Sequence, residues 1–96
     1  MKHYIAYHSA QKMESRYHED EERSTGRFSF FSHKETKLRA AIATPSKAWI
    51  VEGFSEQNAT QYLLHEVGRP QAVEPEDDTF IVSGPILHTF RPALRI

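Results

Sequence analysis

The sequence predicts an α+β fold that is mainly β: a small barrel of five to six strands with one helix after the second strand. Three observations lead there. Short β-prone runs recur along the chain, each closed by turn residues. Only one stretch carries helical periodicity. An open sheet of so few strands would leave long unpaired edges, and closing it into a barrel with the helix over one opening removes them. At 96 residues the chain, 1–96, is read as a single domain with one modest core.

The first strand is read over residues 2–8, Lys-His-Tyr-Ile-Ala-Tyr-His. Alternation puts Tyr4, Ala6 and His8 on one face and His3, Ile5 and Tyr7 on the other. Residues 14–26 hold few apolar side chains and end in Thr25-Gly26, which reads as a long loop. Phe28–Phe31 is the second strand. Ser32-His33-Lys34-Glu35 has the form of a capping box, and a helix is expected over 33–43 with Leu38, Ala41 and Ile42 as its apolar stripe. Pro45 ends it. The third strand runs from Lys47 to Phe54, and Ser55–Asn58 is a turn. A fourth strand is expected from Thr60 to Val67, continuing irregularly past Gly68 and Pro70 to Val73. Pro75–Asp78 reads as an acidic turn, Thr79–Ser83 as the fifth strand, and Gly84-Pro85 as its break. The tail, 86–96, has room for one more short strand.

Composition bounds the function. No stretch is long and apolar enough to cross a membrane, and no unbroken apolar run of a secretory signal follows Met1-Lys2-His3-Tyr4. The absence of cysteine excludes disulfides, thiolate metal sites and cysteine nucleophiles, which fits a cytoplasmic location. The net charge is −1, yet charge is segregated. Glu19–Glu22 and the group Glu74, Glu76, Asp77, Asp78 are acidic, whereas residues 23–73 carry seven basic side chains against four acidic ones. A local basic face on a neutral protein follows, or else two solvated acidic loops and ordinary surface lysines.

The six histidines form no HExxH and no His-x-His pair, so no metal or cofactor is expected. No G-x-S-x-G elbow and no phosphate-cradling glycine loop occur, and the carboxylates cluster in loops that lack rigid placement. The chain by itself is therefore not read as an enzyme. Aromatics are plentiful, and a ring near a strand end is a platform on which a flat base stacks. Trp49 is either such a wall or the central plug of the core. His8 and Ser9, just past the first strand, are pocket-rim candidates or a strand-terminal turn.

The run Tyr4-Ile5-Ala6-Tyr7-His8-Ser9-Ala10-Gln11-Lys12-Met13 resembles the opening of small modules attached to HNH-type, modification-dependent restriction endonucleases. Phe30-Phe31-Ser32-His33-Lys34, Trp49-Ile50-Val51-Glu52-Gly53 and Gln61-Tyr62-Leu63-Leu64 extend the resemblance over most of the chain. It departs at Glu14 and at Thr44-Pro45-Ser46, where the family tends to carry glycine. The resemblance implies a PUA-like or EVE-like barrel that reads modified cytosine, such as 5-methylcytosine, in DNA by base flipping. The expected pocket is Tyr7, His8, Ser9, Phe31, Trp49 and Tyr62. The expected phosphate contacts are Arg23, Arg27, Lys34, Lys37, Arg39 and Lys47, with Lys34 and Lys37 one helical turn apart. The partner is then double-stranded DNA with a modified base, and an attached or associated HNH nuclease would supply any cleavage. The alternatives are a protein-interaction module, antitoxin-like or inhibitory, that works through its acidic loops, and a structured-RNA-binding barrel.

Overall fold

The computed structural model describes residues 1–13 and 26–96. Its elements are β1 (Lys2–Ser9), the single turn α1 (Ala10–Met13), β2 (Arg27–Ser32), α2 (Glu35–Ala43), β3 (Ser46–Glu56), β4 (Ala59–Gly68), β5 (Ala72–Glu76) and β6 (Thr79–Arg95). The fold is α+β and mainly β. Six strands form one curled sheet, a half-barrel, in the order β1-β3-β4-β6-β2, with β5 added alongside β6.

Local chemistry accounts for the hairpins. β3 and β4 are joined by Gln57-Asn58 alone, with Glu56 opposite Ala59. Both turn residues have positive φ, 52° and 63°, the backbone of a two-residue turn whose twist matches the strands it joins. The β5–β6 turn is Asp77-Asp78, and Thr79 Oγ1 donates to the Glu76 carbonyl at 2.9 Å. β1 lies parallel to β3, from Lys2 opposite Ser46 to Ser9 opposite Gly53. A parallel neighbour requires a long crossover, which residues 10–45, carrying β2 and α2, supply.

Three elements differ from the sequence reading. The helix begins at Glu35, two residues later than expected. Ser32 Oγ accepts from the Lys34 amide at 3.2 Å, but Glu35 turns forward to Arg39 at 2.9 Å, so the reciprocal half of the capping box is not formed. Its other end is held as the proline implied: Thr44 is extended, and the buried Ser46 hydroxyl donates to the Ala41 carbonyl at 2.7 Å. Residues 72–76 are a strand of their own, and Pro75 is tolerated there because β5 pairs on one side only. Gly84-Pro85 does not break β6. It marks where that strand changes partners: before it β6 pairs with β2 and β5, after it with β4. Amides from the β4–β5 link cover this point, Arg69 N donating to Pro85 O and Gln71 N to Ser83 O.

The core lies in the concave side of the curl. Ala6, Phe28, Ala48 and Ile50 are buried there, with Phe30 and Ile86 packed against them. Phe28 reaches this depth because residue 68 is glycine: a Cβ on Gly68 would stand 2.1 Å from the Phe28 ring. Leu38 and Ala41 are the buried face of α2.

Candidate nucleic-acid interface

The half-barrel places β1 and β2 at its two ends, and among the described residues these strands do not pair with each other. Between them lies a cleft of about 870 Å³. Six consecutive residues of β1, His3 to His8, border one side, and Ser29–Ser32 of β2 border the other. Ala6, Ile50 and Val82 form an apolar floor, Leu38 and Ala41 of α2 a wall. Tyr4, Phe30 and Phe31 contribute rings, and His8, Lys34 and Lys37 contribute polar and cationic groups. Lys34 and Lys37 are both exposed.

The strand alternation explains this composition. The β1 register sets Tyr4, Ala6 and His8 opposite Ala48, Ile50 and Glu52, the inward row of β3. α2 is brought over the cleft by the short link after β2 and by His33, whose Nδ1 donates to the Asp78 carbonyl at 3.2 Å.

Of the expected pocket residues, His8 and Phe31 border this cleft. Tyr7 borders it along β1, but its ring lies over Gly53, where an added Cβ would stand 1.8 Å from the phenolic oxygen. Ser9 pairs with Gly53 at the end of β1 and does not line the cleft. Trp49 is half-buried away from it, its Nε1 donating to His3 Nδ1 at 3.1 Å with ring centroids 6.0 Å apart. Tyr62 stands against Tyr7 at 6.2 Å and is likewise outside the cleft. Of the expected phosphate contacts, Lys34 and Lys37 stand at the cleft. Arg27 begins β2, Lys47 sits opposite His3 in β3, and Arg39 is held by Glu35 at 2.9 Å. Arg23 lies outside the described residues.

Two groups were missed in the sequence. Tyr4 and Phe30 line the cleft. The signal for Tyr4 was available, since it shares parity with His8 and with the buried Ala6. The other group is a buried ionisable cluster. Glu52, His65 and Glu66 are 0, 6 and 0% exposed, and His65 Nε2 lies 2.8 Å from Glu52 Oε1. A bulge creates this pairing: Ile50 faces Glu66 and Val51 faces Leu64, which leaves His65 as the extra residue. No sequence periodicity announces such an insertion.

Among the described residues no three His, Cys, Asp or Glu side chains gather as a metal site, and no helix is long and apolar enough to cross a membrane. No protein-family description, curated protein or solved structure matches the chain.

Proposed function

We propose that this chain is a DNA-binding module that captures a modified base, flipped out of a duplex, in the cleft between β1 and β2. One observation carries the reading: a cleft between two strands that do not pair with each other among the described residues combines ring-bearing walls with two lysines at its helical side. The resemblance of the Tyr4–Met13, Phe30–Lys34 and Trp49–Gly53 runs to PUA-like modules of modification-dependent endonucleases supports it. The energies are of the right order. Extruding a base costs a few kcal/mol, and stacking it on an aromatic ring returns about 1–3 kcal/mol. Tyr4, Phe30 and Phe31 supply rings, the His8 imidazole reads the base edge, and Lys34 and Lys37 hold the flanking phosphates. The module binds and does not cleave; a nuclease acting with it lies on another domain or partner.

Titration of plain, methylated and hydroxymethylated duplexes at two salt concentrations tests this. The expected result is a preference for a modified duplex that persists at the higher salt. Replacing Lys37 with alanine should weaken all duplexes alike and lower the salt slope by about 1. Equal, steeply salt-dependent binding to every duplex would reduce the site to phosphate attraction, and no binding would favour an interaction surface for protein.

A further inference from the structure

We infer that the convex face of the β1-β3-β4-β6 sheet is a self-association surface whose occupant is a second copy of this chain. The strand registers assemble the face. Ile5, Trp49 and Val67 form one row, Tyr7, Val51, Leu64 and Leu94 the next. Gly53 and Tyr62 begin a third, which Ile96 completes by donating its amide to the Tyr62 carbonyl at 3.2 Å. The first row ends at His88 opposite Val67, and His3 with Lys47 borders it on the same face; the other residues of these rows are uncharged.

The apolar residues on this face are not scattered. Ile5, Tyr7, Tyr62, Leu94 and Ile96 are 73, 54, 42, 46 and 69% exposed. With up to about 200 Å² available per large side chain, they leave on the order of 500 Å² uncovered. That is at the upper end of the largest patch on a typical monomer, about 300–600 Å². The half-buried Trp49 and Leu64 extend it toward the ~800 Å² that each partner contributes to a standard interface. A twisted sheet face packs best on another sheet face about 10 Å away. The same largely apolar face on a second copy meets that need, and such a two-fold contact closes on itself rather than propagating. This inference does not rest on the cleft or on DNA.

Sedimentation equilibrium of the whole chain, from low micromolar to several hundred micromolar, tests it. A dimer is expected, and the double variant Leu94→Lys, Ile96→Lys should raise its dissociation constant at least about tenfold while leaving the far-ultraviolet circular dichroism unchanged. Both positions lie outside the cleft. The chain has no native cysteine, so single-site cross-linking gives a second measurement that does not depend on the lysine variant folding. Ile96→Cys and Tyr62→Cys should yield covalent dimers with a short bis-maleimide, and Glu74→Cys, on the exposed β5, should not. A monomer throughout the concentration range overturns the inference. So does a dimer that the lysines leave intact, or one that cross-links only through position 74.

Discussion

The two sides of the same strands differ in kind. On the concave side, β1 and β3 present small and polar residues, Tyr4-Ala6-His8 beside Ala48-Ile50-Glu52. Phe28 and α2 fill part of the curl and leave the cleft in the rest. On the convex side the alternate residues are larger, and several are less covered: Ile5 is 73% exposed and Ala6 beside it 6%, although Val51 and Val67 are buried. Side-chain size therefore does not sort inside from outside in this sheet. Curvature does. The inner face of a curled sheet has little width, so small residues fit there and Phe28 enters only over glycine. The outer face has room for rings such as Tyr7 and Tyr62, which are 54 and 42% exposed.

Four substitutions break or sharpen this contrast. Phe28→Ala should cost the most, about 3–5 kcal/mol of stability in urea denaturation, because it empties the most enclosed part of the concave side. A cost near that of a surface change would mean the curl is not held by this ring. His65→Ala should cost about 1–3 kcal/mol, since it removes the partner 2.8 Å from a fully buried Glu52. His65→Gln, which keeps a donor, should recover part of the loss in the same assay. Trp49→Phe should cost only about 0.5–1.5 kcal/mol, the share of its bond to His3. It should also leave the ranking of modified over plain duplex unchanged, and a lost preference would move the binding surface to the convex side. Smallest, Arg39→Ala should change stability by less than about 0.5 kcal/mol, because its pair with Glu35 is half exposed on both sides. Its effect on DNA affinity should fall below that of Lys37→Ala, and the reverse order would shift the phosphate path to the outer face of α2.

The site was legible in part. His8 and the helix lysines follow from strand ends and helical spacing, both local properties. Trp49 and Tyr62 were chosen because their rings suit stacking, but parity already separated Tyr7 from His8, and the registers carry Trp49 and Tyr62 to the Tyr7 side. Chemical suitability was visible in the residue type; which side of the sheet it served was visible only once the neighbouring strands were aligned.

By itself, the sequence determined the helix after β2 and its stop at Pro45, the inward and outward rows of β1, and a turn within Ser55–Asn58, because each depends on a few adjacent residues. Tertiary structure decided that Gly84-Pro85 marks a change of partners within a strand instead of ending it, that His65 is squeezed out beside Glu52, and that, among the described residues, β1 and β2 do not pair. Those outcomes depend on which strands lie alongside, a choice made by pairing between segments far apart in the chain, and no local pattern encodes it.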